Sequence, residues 1–312
     1  VKNRFPALLA LLGGIALMVS GCSGSGGAAG AATVGGTVKV VASTNVYGDL
    51  ARSVGGDLVE VTSIIDSPDK DPHEYEATAR DQLAVSGGAL IVENGGGYDS
   101  FIDTMLSAAS STAPVVTATV VAGLEDDHDH DGGEHEHADF NEHVWYDLSV
   151  VRQVVARIGD ELAAVDPDNA STYSANVATL DGRLAALIAR EGDLKGTLAG
   201  RSIAITEPVP LALTDALGLM NATPEAFSEA VEEGTDVPAT TLQETLALFG
   251  DRTVAALIYN EQTEGAQTDA VLESAKAAGI PTVGVTETLP DGEDYIGWMT
   301  ANLDAIEGAL SP

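Results

Sequence analysis

The chain has a single cysteine in 312 residues, so no disulfide can form within it and no cysteine-based zinc site is available. Bases are scarce as well: 14 Lys and Arg stand against 48 Asp and Glu, for a formal net charge of -34. A field of that sign repels nucleic acid and anionic lipid headgroups, which makes both poor partners. It attracts cations weakly, but charge alone names no ligand, and a solubility surface accounts for most of the carboxylates. Several catalytic signatures are missing too. His73-Glu74 is followed at the required spacing by Ala77, and His135-Glu136 by Asp139, so neither forms the two-histidine helix of a zinc protease. There is no G-x-S-x-G elbow, no P-loop and no catalytic cysteine, and Gly95-Gly96-Gly97 reads as a turn rather than a dinucleotide loop. A hydrolase has no residues to point to, and the chain is read as a non-enzyme.

What is present starts with Lys2 and Arg4, followed by an apolar run from Ala7 to Val19. As a helix that run rises about 20 Å, short of a hydrocarbon core of about 30 Å. It predicts a signal peptide over residues 1–21 rather than a membrane span. The run ends in Val19-Ser20-Gly21-Cys22, which resembles a bacterial lipobox. That resemblance implies cleavage before Cys22 and lipid on its thiol and new N-terminus; the alternative is an ordinary signal peptide with an incidental cysteine. Residues 22–36, rich in Gly, Ser and Ala, read as a flexible tether. The expected location is the extracytoplasmic face of the cell membrane, held there by the lipid. Removing residues 1–21 takes away two bases and no acid, leaving 12 bases against 48 acids.

From Thr37 onward short β-rich runs alternate with helical patterns. Val38–Ala42, Leu58–Ile65, Ala89–Glu93 and Pro114–Thr117 read as strands, with helices around 46–55, 77–87 and 98–110. After residue 200 the rhythm returns: strands at Ser202–Thr206, Val254–Tyr259 and Thr282–Val285, helices near 210–219, 239–249, 268–278 and 294–310. This is the βαβ pattern of parallel sheets. Between the two sets, Tyr173, Val177, Leu180, Leu184, Leu187 and Leu194 keep one helical stripe over about seven turns. Asp168 or Asn169 is placed to cap it, and Gly182 and Gly192 weaken it by about 1 kcal/mol each relative to Ala. The expected fold is α/β: an N-terminal lobe over 37–167, one long rigid connecting helix over 168–198 and a C-terminal lobe over 199–312.

The chemistry lies in the six histidines. His73 sits in the polar turn Asp71-Pro72-His73-Glu74-Tyr75 after a strand. His143 sits in Asn141-Glu142-His143-Val144-Trp145, on or just before an expected short strand. His128, His130, His135 and His137 fall within residues 125–139, a 15-residue stretch that also holds eight acids. It has no apolar periodicity and reads as a surface loop. Imidazoles interleaved with carboxylates form a weak multidentate trap for Zn, Ni or Cu, against the alternative of a solvated acidic loop.

These residues together resemble the metal-binding ABC transporter solute-binding proteins of the ZnuA/TroA/PsaA type, over about residues 37–311. The resemblance rests on Val40-Val41-Ala42-Ser43, Asp71-Pro72-His73-Glu74-Tyr75, Asn94-Gly95 and the His/Asp loop. It continues through His143-Val144-Trp145, the long helix with Tyr173 and Asn176, and Tyr295, Met299 and Asn302 near the end. It implies two lobes with a metal held in the cleft between them. The ligands it implies are His73, His143, Glu207 in Ile205-Thr206-Glu207-Pro208, and Glu287 in Val285-Thr286-Glu287-Thr288, where the family usually has aspartate. Taken alone, Glu207 and Glu287 each have the plainer reading of a surface acid. The resemblance further implies a monomer that works with a permease and its cytoplasmic ATPase.

Two imidazoles and two carboxylates balance a 2+ ion. Glu207 in place of a third histidine shifts the site toward Mn or Fe, while the histidine loop and the ordinary affinity order favour Zn. The expected cargo is Zn²⁺, with Mn²⁺ as the alternative. A surface adhesin or metal-buffering lipoprotein without a transporter is the rival from another class.

Overall fold

A computed structural model of the chain describes residues 33–34, 36–68, 70, 72, 75–124 and 140–311. Cys22, the tether up to residue 32, His73 and the loop 125–139 with His128, His130, His135 and His137 lie outside the described residues. The described residues fall within one compact unit. Among the described residues no helix is long and apolar enough to cross a membrane.

The first half contains β1 (Thr33–Val34), β2 (Thr37–Thr44), α1 (Asn45–Gly55), β3 (Val59–Ile65) and α2 (Ala79–Gly87). It continues with β4 (Leu90–Glu93), α3 (Phe101–Ala109), β5 (Val115–Thr117), α4 (Ala118–Val121) and α5 (Leu148–Val165). Then comes α6 (Ala170–Leu198). The second half contains β6 (Ser202–Ile205), α7 (Leu211–Ala216), β7 (Met220–Asn221), α8 (Glu225–Glu232), α9 (Ala239–Gly250) and β8 (Leu257–Asn260). It closes with α10 (Ala266–Ala278), β9 (Thr282–Val285) and α11 (Tyr295–Leu310).

The strands form two sheets. In the first, β3, β2, β4 and β5 run parallel in that order, and β1 adds antiparallel to the start of β2. In the second, β7, β6, β8 and β9 are all parallel. Near-continuous apolar runs make the central strands because both faces of a parallel sheet are covered. Val38, Val40 and Ala42 of β2 enter one core cluster, while Val41 enters another on the opposite face. Leu90 and Val92 of β4 divide from Ile91 in the same way.

In each sheet the strand order reverses beside its first strand, between β2 and β4 and again between β6 and β8. Crevices at such switch points, beyond the carboxyl ends of the strands, are where open α/β sheets take ligands. Two such crevices are the frame of the site.

The connection between the sheets is α6, 29 residues long, which buries Tyr173, Leu180, Leu184, Leu187, Leu194 and Leu198. Its leucines belong to one core cluster that runs from Val38 in the first lobe to Ile203 and Val283 in the second. The two lobes therefore share a core instead of meeting at a wet interface. The expected cap differs: Asn169 makes no capping hydrogen bond to α6. A short 3₁₀ turn, Pro167–Asn169, precedes the helix, and the Asn169 amide donates to Asp166 Oδ2 at 2.8 Å. Asp166 is occupied further by Tyr173, whose hydroxyl donates to the same oxygen at 2.7 Å.

Other features depart from the sequence reading. His143 does not lead into a strand. It precedes a 3₁₀ turn, Val144–Tyr146, closed by Tyr146 N–H to His143 O at 3.1 Å and by Asp147 N–H to Val144 O at 3.1 Å. All three turn residues are buried, so their apolar run imitates a strand. The helices α4, α5 and α8 and the two-residue β1 and β7 are additional elements, β1 falling in the stretch read as tether. In α5, Val150, Val151, Val154, Val155 and Ile158 are β-branched residues of modest helix propensity. Packing decides there, since Gly159 lets Val177 of α6 come within 2.4 Å of where a Cβ would stand.

Candidate metal centre

Four segments converge where the lobes meet. Asn94 follows β4, and His143 lies in the segment before α5. Glu207 lies two residues past β6, and Glu287 two residues past β9. His143, Glu207 and Glu287 are all buried, which removes the plain surface-acid reading of the two glutamates.

The histidine is held from several sides. Asn94 Nδ2 donates to Glu142 O at 2.9 Å and so ties the segment 141–143 to the end of β4. The loop after Asn94 turns through Gly95, Gly96 and Gly97, each with φ between 68° and 92°, a region that favours glycine. Asp99 caps that loop, accepting from Asn94 N at 2.7 Å and Gly95 N at 2.8 Å. The imidazole then packs edge-on against Tyr98 and Trp145.

Its two nitrogens have different tasks. Asn141 Oδ1 lies 2.7 Å from His143 Nδ1 and also accepts the His143 backbone N–H at 3.1 Å. Asn141 Nδ2 donates to Pro208 O at 3.0 Å, which fixes the amide orientation and leaves Oδ1 as the acceptor. Nδ1 therefore carries a proton, and Nε2 is the nitrogen turned to the second lobe. This is the arrangement by which a neighbouring acceptor orients a metal-binding imidazole. Nε2 meets Glu232 Oε1 at 3.1 Å. Burial would lower the pKa of His143, but the carboxylates of Glu232, then Glu287 and Glu142, outweigh it and hold it above its usual value.

The acids are equally constrained. Tyr98 OH donates to Glu287 Oε2 at 3.2 Å across the cleft, and Asn260 Nδ2 donates to Oε1 at 2.7 Å. Asn260 ends β8, and Gln262 Oε1 accepts the Glu287 backbone N–H at 2.7 Å. The Glu207 carboxyl is pushed up to about 7, first by burial and then by Glu232 and Glu287, against hydrogen bonds from Thr263 and Asn260. A buried Glu207 whose proton affinity is raised by two neighbouring carboxylates is a poor structural choice without a cation.

Glu232 was not legible from the sequence. It closes α8, whose Glu225 and Glu229 are exposed, as is the following Glu233; only the fold distinguishes it by turning its side chain inward at 9% exposure. Its carboxylate changes the charge balance expected for two imidazoles and two acids. Asn141 is the second addition, and its only signal was a side-chain acceptor two residues before a histidine. A cavity of about 630 Å³ opens onto His143 and Glu232 and is bordered by Glu225, Glu229 and Glu233. A second, of about 620 Å³, runs from Glu287 to Pro68 and Pro72. His73 follows Pro72 and is outside the described residues. Among the described residues, no three His, Cys, Asp or Glu side chains stand grouped as a ready metal cage.

The fold has counterparts among known proteins. Residues 40–309 match the profile of the ZnuA family, described as the periplasmic component A of the zinc-uptake complex. The manganese-binding lipoprotein MntA of Halalkalibacterium halodurans is 30% identical over 162 residues, 52% of this chain and 50% of that one. The manganese ABC transporter substrate-binding lipoprotein PsaA of Streptococcus mitis is 25% identical over 99% of both chains. Among solved structures, the periplasmic zinc-binding protein TroA from Treponema pallidum superposes with a TM-score of 0.73 at 20% identity. That match covers 89% of this chain and 100% of that one. A crystal structure of ZnuA matches with a TM-score of 0.71 over 88% of this chain.

Proposed function

The chain belongs to the ZnuA family of periplasmic uptake components, a family of receptors and not of enzymes, and on that premise we propose that it captures a divalent transition metal in the cleft between its lobes for an ABC importer. The carrying observation is His143. Its Nδ1 is committed to Asn141, and its Nε2 is turned, in a buried setting, toward carboxylates of the opposite lobe. The ligands we assign are His143, Glu207, Glu287 and His73. Support for His73 comes from its neighbour Pro72, which is buried and borders the same cavity as Glu287. The partner is a membrane permease with a cytoplasmic ATPase, and Cys22 carries the lipid anchor, a reading supported by relatives named as ABC transporter lipoproteins.

For the cargo we favour Mn²⁺. Oxygen donors outnumber nitrogen donors around His143, and such sets suit harder ions. Zn²⁺ is the second reading, favoured by the histidines at 128, 130, 135 and 137 and by the family's zinc-uptake description. In that reading the loop collects metal before the cleft takes it. Competition between Mn²⁺ and Zn²⁺ under chelator-buffered free concentrations tests the choice, with and without residues 125–139. Retention of Mn²⁺ by the loop-deleted protein at comparable free Zn²⁺ supports manganese; complete replacement by Zn²⁺ overturns it.

A further inference from the structure

Glu232 is neither a ligand implied by the family resemblance nor an ordinary surface acid. It ends α8 in the second lobe, and its carboxylate reaches across the cleft to His143 of the first. The contact is made with Nε2, the ring nitrogen that does not face Asn141. Two donors that each stand about 2.1 Å from one ion are themselves about 3.0 to 3.4 Å apart, for octahedral to tetrahedral angles. The observed 3.1 Å between Glu232 Oε1 and His143 Nε2 falls in that range. The oxygen is thus at a spacing that two neighbouring ligands of one ion and an imidazole–carboxylate ion pair share.

We propose that Glu232 is a further donor to the captured ion, a third carboxylate alongside Glu207 and Glu287. This rests on the capture reading above. A third oxygen donor raises the coordination number and hardens the site, so Glu232 bears on selectivity as well as affinity: it favours Mn²⁺ over Zn²⁺, which is content with four ligands. The competing role is that of an internal stand-in, in which Glu232 merely occupies Nε2 until an ion displaces it. The two roles predict opposite effects of removing the charge.

The test uses the full chain in wild-type form and as Glu232→Gln, Glu244→Gln and His143→Ala, with folding checked by circular dichroism. A Mn²⁺-loaded crystal structure of the wild type is the second measurement. If Glu232 is a donor, Glu232→Gln weakens Mn²⁺ binding by about 10-fold or more and Zn²⁺ binding by less. Glu244→Gln, on the exposed face of α9, leaves both unchanged, and the loaded structure puts a Glu232 oxygen about 2.2 Å from the ion. Unchanged or tighter Mn²⁺ binding in Glu232→Gln, or a loaded structure with the carboxylate swung away, overturns the proposal and assigns the stand-in role. Should wild type and His143→Ala bind metal alike, the capture reading itself fails, and that outcome is distinct from a defect confined to Glu232.

Discussion

Nδ1 of His143 lies 2.7 Å from Oδ1 of Asn141, and this one contact decides which imidazole nitrogen faces the cleft. The same asparagine bonds Pro208 O, one residue after Glu207, so the histidine and the acid of opposite lobes are registered through a single side chain. Asn141→Ala frees the ring to turn and to change tautomer. Metal affinity is expected to fall by about 10-fold or more, with the fold intact, as measured by chelator competition and far-UV circular dichroism. Asn141→Asp keeps an acceptor at Nδ1 and is expected to lose less.

Glu207 illustrates a conflict between stability and function. Buried, and facing Glu232 and Glu287, its carboxylate weakens the metal-free protein. Glu207→Gln is expected to raise the melting temperature of the metal-free form and to shrink the stabilisation that added metal brings. Thermal scans with and without Mn²⁺ or Zn²⁺ measure both effects. A lower metal-free melting temperature would contradict this view of the cleft.

Glu191 predicts a pH dependence away from the metal ligands. It lies on the buried face of α6, and burial, followed by the charge of Asp147, pushes its carboxyl up to about 7. The folded state therefore holds a proton there that the unfolded chain releases near 4.5. Between about 4.5 and 7 the group's contribution to stability falls as the pH rises, and above 7 its full cost remains. Glu191→Gln is expected to be more stable than wild type at pH 8, by about 1 kcal/mol, and to differ little at pH 4.5. Urea melts at the two pH values check the sign.

The glycines of the helices divide by what surrounds them. Gly182 and Gly192 of α6 have nothing within 4 Å of where a Cβ would stand and lie on its exposed face. Each change to Ala is expected to stabilise by about 1 kcal/mol. Gly159 of α5 is the opposite case, with Val177 Cγ2 2.4 Å from that position. Gly159→Ala is expected to destabilise by about 1 to 3 kcal/mol, through separation of α5 from α6. Denaturant melts of the three variants separate the two classes.

The physical signals in the chain explain which of these features were legible in it. Runs such as Val38–Ala42 and Thr282–Val285 read as strands because burial on both faces demands unbroken apolar sequence, and α6 announced itself through its leucine stripe. The Val144–Tyr146 turn imitated a strand, since it too is wholly buried. In the second lobe, Met220–Asn221 is too short to leave any period. Glu207 and Glu287 were named only through the family resemblance, and both are buried, each two residues past a strand. Glu232 was not legible, because four glutamates lie within nine residues of α8 and its end, and the fold alone turns one inward. Asn141 acts through its contact with a ring nitrogen, which no spacing in the chain reveals. His73 and the histidines of 125–139 stand as sequence readings, since they lie outside the described residues.

Capture of a metal ion between the lobes by His143 and the facing carboxylates is open to a direct titration. Purified metal-free protein is titrated against a competing chelator, comparing wild type with His143→Ala and Glu287→Gln. Wild type is expected to hold one ion tightly per chain in the cleft. His143→Ala is expected to lose at least about 100-fold in affinity, and Glu287→Gln less. Wild-type affinity in both folded variants would contradict metal capture at this site.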